Sequence, residues 1–155
     1  MRTALAALLA AMVATPLAAC QPAAEEVVTA PSGLAEREIA VTTSDGQTHP
    51  FTVEVAETRE QQNRGLMFRE TLAPDRGMIF LYDDEAVRGF WMRNTYIPLD
   101  IIYIRADGTI ATIHANTLPL SEAPYSSLEP VQNVLEIAGG RAAELGISEG
   151  DKVQL

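Results

Sequence analysis

The sequence predicts a small α+β domain, mainly β, in which antiparallel strands curl into a barrel-like sheet with two short helices. Segments of strand length recur along the chain with alternating apolar and polar residues. Short turns containing Gly, Asp or Pro separate most of them, and only two short segments have helical spacing. With 155 residues, the chain has room for one domain at most.

The N-terminal residues are typical of an exported protein. Arg2 precedes an apolar run from Ala4 to Ala14, and small residues then lead to Cys20. This pattern predicts a signal peptide over residues 1–19, because the run is too short to remain as a membrane span. "LAAC" resembles the lipobox of bacterial lipoproteins, which implies cleavage before Cys20 and lipidation of its thiol. The alternative is an ordinary cleavage site with an incidental cysteine.

Lipidation of Cys20 predicts attachment to a membrane on the periplasmic face of the cell envelope. Residues 20–36 are rich in Pro, Ala, Glu, Ser and Gly and predict a flexible tether, which leaves residues 37–155 as the domain. A net charge of −10 argues against nucleic acid as a partner. Because the chain has one cysteine, no intramolecular disulfide can form, and we expect a monomer held together by packing.

The first predicted elements are a hairpin and a helix. "EIAVTT" and "HPFTVEVA" alternate around the turn "SDGQ". The predicted buried set of this hairpin is Ile39, Val41, Phe51, Val53 and Val55. "TREQQNRG" predicts a short helix, because Thr58 and Gln61 have the capping-box spacing and Gly65 can end it.

The remaining elements are mostly strands. "GMIFLYD" has apolar residues on both alternating faces, which is typical of a strand covered on both sides. "GFWM", "LDIIYI", "TIATIHA" and "VQNVLEIA" predict further strands. Residues 116–130, with three prolines, predict an irregular surface loop. "GGRAAELG" predicts the second helix and "DKVQL" a closing strand.

Two acids fall within apolar strands. Alternation places Asp100 on the face of Ile102 and Ile104, and Glu136 beside Val134. A buried carboxyl group needs a cation, hydrogen-bond donors or a raised pKa. The candidate partners are Arg64, Arg69, Arg88, Arg93, Asn94 and Thr95. The two acids form either a general acid–base pair or two structural ion pairs with arginines.

Other site types receive less support. Met67, Met78 and Met92 stand beside aromatic residues and could, with a histidine, bind Cu(I), but such pairs are also ordinary packing. No zinc spacing, nucleophile elbow or phosphate loop is present in the sequence. We therefore assign no metal, cofactor or catalytic residue. Trp91 is either a platform for a ligand or a core residue.

The segments "RGLMFRE", "GMIF", "FWMRNTYIPLDIIYI", "DGTI" and "VLEIAGG" together resemble the domain-of-unknown-function family 192 (DUF192) over residues 38–155. Arg93 departs from the pattern, because lysine is common there. The resemblance implies a compact domain of antiparallel strands and short helices, with no established reaction, substrate or cofactor. It also supplies a set of signature positions: Arg64, Gly65, Met67, Arg69, Glu70, Gly77, Met78, Trp91, Asn94, Thr95, Pro98, Asp100 and Glu136.

The predicted function is binding of a small ligand or protein partner at a rim formed by "RGLMFRE" and "FWMRNT", without turnover. Asp100 is expected to orient an arginine behind this rim. The predicted site residues are Arg64, Arg69, Glu70, Trp91, Arg93, Asn94, Thr95, Asp100 and Glu136. One alternative is a hydrolase or lyase that uses Asp100 and Glu136 on a wall sugar or peptide. Another is a structural lipoprotein that acts through its acyl end and residues 116–130.

Overall fold

The structure, a computed structural model, describes residues 32–155. The predicted signal peptide, Cys20 and residues 21–31 of the predicted tether lie outside the described residues. Within the described part, no helix combines the length and the apolar character that crossing a bilayer requires.

The described chain consists of nine strands and two short helices. In chain order they are β1 (Glu36–Thr42), β2 (Thr48–Ala56), α1 (Arg59–Arg64), β3 (Arg76–Phe80), β4 (Ala86–Phe90), β5 (Leu99–Ile104), β6 (Ile110–His114), β7 (Tyr125–Val131), β8 (Asn133–Ala138), α2 (Arg141–Leu145) and β9 (Lys152–Gln154).

Seven strands form one curled sheet in the order β6-β5-β8-β3-β2-β1-β9, and β4 and β7 form a separate pair. All pairs are antiparallel except β2 with β3. The two ends of the large sheet meet where Thr109 bridges Lys152 and where the Val153 N–H donates to the Gly108 carbonyl over 2.8 Å. The sheet is therefore nearly closed, which confirms the predicted barrel-like, mainly β fold.

Apolar clusters cover both faces of the central strands, because the side chains of a strand alternate between its faces. Ile102 and Ile104 of β5 pack into the first cluster, together with the whole predicted buried set of the β1–β2 hairpin. Leu99, Ile101 and Tyr103 pack into the second cluster. The predicted division of β5 between two faces is thus confirmed, and Asp100 belongs to the face of the first cluster.

The helix α1 begins as its capping box predicts. The Thr58 side chain accepts a hydrogen bond from the Gln61 N–H, and the Gln61 side chain accepts one from the Thr58 N–H over 2.9 Å. The helix ends at Gly65, which has a φ of 47°. This glycine lies against Phe80, because a Cβ added there would be 3.3 Å from the ring atom Cζ.

The predicted irregular loop over residues 116–130 is wrong in its second half, because Tyr125–Val131 forms β7. This strand pairs with β4, and Pro130 lies opposite Val87. A proline has no N–H for a sheet ladder, but a two-stranded sheet consists of edge strands, where proline is tolerated. The β4–β7 pair adds Phe90, Tyr125 and Val131 to the second cluster.

Candidate functional site

Asp100 has backbone partners instead of the expected arginine. Its Oδ1 accepts hydrogen bonds from the N–H groups of Asn116 and Gly140 over 2.6 and 2.8 Å, and its Oδ2 accepts one from Ala142 over 2.7 Å. The side chain is fully buried, and among the described residues it forms no ion pair. The predicted Asp100–arginine pair is therefore wrong, because three peptide N–H groups already compensate the carboxylate.

Glu136 has no such compensation. It is 4% exposed, and its neighbours on β3 and β5 are Met78 and Ile101. Among residues 32–155, no hydrogen bond or ion pair involves its carboxyl group, and burial is the one influence on its pKa. Burial alone raises the pKa of Glu136 to about 8.

Asp100 and Glu136 cannot act as an acid–base pair. Asp100 is registered with Ile137, the residue after Glu136, so the two acids lie on opposite faces of neighbouring strands. Asp100 faces α2 and the first cluster, while Glu136 faces the second cluster. The alternative of a hydrolase or lyase that uses both acids across one cleft is therefore contradicted by the sheet register.

Glu136 lines a small cavity of about 30 Å³, which we name the Glu136 pit. Its walls include Arg64, Phe80, Phe90, Trp91, Thr95 and Glu136. This volume is close to the space that one water molecule takes up. The pit can therefore receive one terminal group of a ligand.

The predicted rim stretches meet beside this pit. Phe68, with a φ of 65°, donates its N–H to the Asn94 carbonyl over 2.8 Å. The Asn94 amide donates to the Met67 sulfur over 3.8 Å, and the ring of Phe68 meets that of Tyr96 edge to face at 6.0 Å. The turn after α1 and the segment after β4 thus hold each other in place around the pit.

Trp91 stands at the lip of the pit. It is 51% exposed, so the alternative of a core tryptophan is wrong. The Arg93 guanidinium lies 5.9 Å from the centre of its ring, which is within cation–π range. Arg64, in the last turn of α1, is exposed and has no ion-pair partner among residues 32–155.

Arg69 belongs to a structural ion pair next to the pit. Its guanidinium lies 2.6 Å from the carboxylate of Glu54, a residue of β2 that is 5% exposed. The Ser32 hydroxyl donates to the same carboxylate. Arg69 also borders a wider depression of about 460 Å³, which shares Arg64 and Met67 with the pit.

The structure thus brings together part of the predicted site. The predicted residues that line the Glu136 pit are Arg64, Trp91, Thr95 and Glu136. Arg69 borders the adjoining depression, Asn94 fixes the turn at Met67, and Arg93 flanks Trp91. Glu70 is exposed and lines neither cavity, and Asp100 lies on the other face of the sheet.

Two features of this surface were not predicted. Glu54 alternates with apolar residues in "TVEVA" and is not in the predicted buried set of the hairpin, but it is 5% exposed and paired with Arg69. Arg88 stacks on Tyr82, with its Cζ 3.5 Å from the ring centre, and donates to Asp84. Both Tyr82 and Arg88 border a further depression of about 600 Å³ beside Trp91. Glu54 meets Arg69, which is 15 positions away, so no local sequence signal marks it, whereas Tyr82 and Asp84 are close to Arg88 in the sequence.

The sulfur atoms and histidines of the chain are dispersed. Met78 and Met92 are buried in the second cluster, and the Met92 sulfur accepts a hydrogen bond from Thr117 over 3.1 Å. The His114 ring contacts the Ser126 carbonyl over 2.8 Å and packs against Tyr103. Residues 32–155 contain no group of three or more His, Cys, Asp or Glu side chains that could hold a metal ion.

The fold and site define a class of small, mainly β domains with one acidic pit between a short helix and a nearly closed sheet. Over residues 40–155, the chain matches the model of the DUF192 family, described as Uncharacterized ACR, and the chain belongs to that family. No curated protein matches it.

Solved structures that are similar to this chain include the following two. One is a protein of unknown function from Novosphingobium aromaticivorans DSM 12444, with 46% identity, a TM-score of 0.80, and coverage of 83% of this chain and 91% of its own. The other is a proposed transcription regulator (R01717) from Sinorhizobium meliloti 1021, with 45% identity, a TM-score of 0.77, and coverage of 78% of this chain and 94% of its own.

Proposed function

We propose that this protein is a lipid-anchored binding domain of the cell envelope that holds a small ligand in the Glu136 pit without turning it over. The observation that carries this proposal is a buried carboxyl group with no donor partner among the described residues, at a cavity bordered by Arg64 and Trp91. An isolated buried polar group is costly, so its presence at a cavity supports a role in recognition.

The contrast with Glu54 supports this interpretation. Glu54, Met78 and Glu136 are registered with one another across β2, β3 and β8, so both acids lie on the same face of the sheet. Glu54 has Arg69 and Ser32 as partners, as a structural acid requires. Glu136 has no such partner among the described residues, and it borders a cavity that opens to the surface.

The residues that line the pit support binding without turnover. Within residues 32–155, Glu136 is the one acid that lines it, and its other polar walls are Gln62, Asn63, Arg64 and Thr95. The second acid of the alternative hydrolase, Asp100, lies on the other face of the sheet and accepts three backbone hydrogen bonds. The description of one similar structure as a proposed transcription regulator gains no support here, because a net charge of −10 disfavours DNA binding.

The lipid anchor is supported by the signal-peptide pattern and by Cys20. Ser32 and Leu34, at the start of the described chain, border the same depression as Arg64 and Arg69. The chain from Cys20 to Ser32 spans about 40 Å at full extension. A lipidated Cys20 would therefore keep the binding site close to the membrane surface.

Ligand binding is tested by screening a library of small fragments against the full chain, with backbone amide shifts measured by NMR. We expect hits that shift the amides of Arg64, Trp91 and Glu136, and that lose affinity in Glu136→Leu. Glu122→Gln, a change at an exposed acid, is the matched control and should retain the hits. A complete screen with no shift at the pit would refute ligand binding there.

The anchor is tested by expressing the full chain and its Cys20→Ser variant in a bacterium that processes lipoproteins. We expect the parent to incorporate labelled fatty acid and to sediment with membranes. The variant should do neither. Equal membrane association of the two proteins, without label, would refute the lipid anchor.

A further inference from the structure

We infer that the group entering the Glu136 pit is the ammonium of a small zwitterion, such as a free amino acid, whose anionic group contacts Arg64 at the rim. This inference rests on the proposed function and names the chemical class of its ligand. The juxtaposition that carries it is an acid without a donor, three aromatic side chains and an arginine without an ion pair, all lining one pit within residues 32–155.

The size of the pit limits what can enter. A volume of about 30 Å³ takes one water-sized group, such as an ammonium, a hydroxyl or a methyl. A sugar ring or a phosphate group exceeds this volume. The body of the ligand must therefore remain outside, in the wider depressions of about 460 and 600 Å³ that share wall residues with the pit.

The polarity of the pit selects among these groups. A methyl group would leave the buried Glu136 carboxyl group unsatisfied, and an anion would be repelled once that group ionises. An ammonium supplies three donors and an opposite charge, whereas a hydroxyl supplies one donor and no charge. Phe80, Phe90 and Trp91 also line this region, and an aromatic ring attracts a cation placed over its face.

Arg64 supplies the second contact. It lines both the pit and the 460 Å³ depression, so an anionic group beside the entering ammonium can reach it. Its guanidinium has no ion-pair partner within residues 32–155. On a chain with a net charge of −10, such an arginine is a local site for an anion. The neighbouring Arg69 is already bound to Glu54.

Binding of an ammonium must depend on pH. Burial raises the pKa of Glu136 to about 8, so at neutral pH an ammonium has to displace a proton from it. Tyr82 and Tyr103 interact electrostatically with Glu136, and Arg64 lines the same pit. Burial raises the pKa of both tyrosines, so they stay neutral through this range. Affinity should therefore rise about tenfold per pH unit up to about pH 8 and then level off.

The test uses the emission of Trp91, the sole tryptophan, which lies at the lip of the pit. Three matched probes are titrated into the full chain: L-phenylalanine, phenethylamine without the carboxylate, and 3-phenylpropanoate without the ammonium. We expect L-phenylalanine to bind most tightly and phenethylamine about fivefold more weakly, as for one exposed ion pair. We expect no binding of 3-phenylpropanoate.

Two variants test which residue contacts the carboxylate of the ligand and which contacts its ammonium. Arg64→Met should reduce the affinity for L-phenylalanine to that for phenethylamine and leave phenethylamine unaffected. Glu136→Gln should weaken both amines by at least about tenfold, as for loss of a charge-assisted hydrogen bond, and should abolish the rise with pH. Thermal unfolding of each variant shows that it is folded.

The outcomes separate this inference from the proposed function. Equal binding of 3-phenylpropanoate and L-phenylalanine, or no pH dependence, would overturn the zwitterion assignment. If fragments shift the pit amides but neither amine binds, the ligand class is wrong and the proposed function stands. If neither fragments nor amines perturb the pit, both are wrong.

Discussion

Replacing Glu136 with glutamine should stabilise the fold and remove a specific part of its pH dependence. Burial raises the pKa of this carboxyl group from an ordinary value of 4.5 to about 8. Between these values the folded protein keeps a proton that the unfolded chain has released. The free energy of unfolding must therefore fall as pH rises through this window, and the contribution levels off above about pH 8.

The size of this effect on the free energy of unfolding follows from the difference between the pKa of Glu136 in the folded and the unfolded state. Each pH unit above the ordinary value lowers the free energy of unfolding by about 1.4 kcal/mol, so the buried Glu136 lowers it by about 3 kcal/mol at neutral pH. That is a large fraction of the roughly 5 to 15 kcal/mol that stabilises a typical domain. A buried glutamine amide without partners has its own cost of about 1 to 3 kcal/mol, which does not depend on pH. The change of the stability difference between variant and parent with pH is therefore a better test than the size of that difference at one pH.

The assay is urea denaturation of the parent and Glu136→Gln at several pH values from acid to mildly alkaline. We expect the stability difference to shift in favour of the variant by about 1.4 kcal/mol per pH unit between pH 5 and 8. The Glu122→Gln variant changes an exposed acid. Its free energy of unfolding should therefore depend on pH in the same way as that of the parent. Parallel curves for Glu136→Gln as well would refute the account, because they would mean that Glu136 is solvated or paired.

Three further substitutions test the scaffold around the pit. Asp100→Ala should lower the free energy of unfolding by about 4 kcal/mol, since three charge-assisted hydrogen bonds are lost, and Asp100→Asn by less; equal stability in urea denaturation would contradict this. Gly77→Ala should lower the melting temperature markedly, because its Cβ would collide with the Glu136 carbonyl oxygen; an unchanged value would show that the strands can separate. Arg69→Met should cost about 2 kcal/mol by leaving Glu54 unpaired, and adding Glu54→Gln should recover part of it; additive losses in urea denaturation would argue against the pair.

Local patterns were sufficient to predict most of the fold. The capping box at Thr58 and Gln61 depends on residues three apart, and the faces of β5 depend on strict alternation, so both can be recognised within a few residues. The strand β7 could not be recognised in this way. "YSSLEPV" lacks a clear alternation, and its pairing with β4, distant in the sequence, makes it a strand.

The site was predicted in outline and missed in its internal contacts. The two signature stretches do meet, and Glu136 does face a cavity between them. However, the partners of Asp100 are the peptide N–H groups of Asn116, Gly140 and Ala142. Almost every residue type has such a group, so the sequence does not indicate which residues donate. Backbone donors of this kind depend on how a loop and a helix start are placed, which alternation and composition do not specify.

The most direct test of the central claim is an NMR titration of the Glu136 side-chain carboxyl carbon, with and without saturating L-phenylalanine. The account predicts a pKa of about 8 for the free protein and a clear decrease when the amine is bound. A pKa near the ordinary value of 4.5 in the free protein, unchanged by L-phenylalanine, would contradict it.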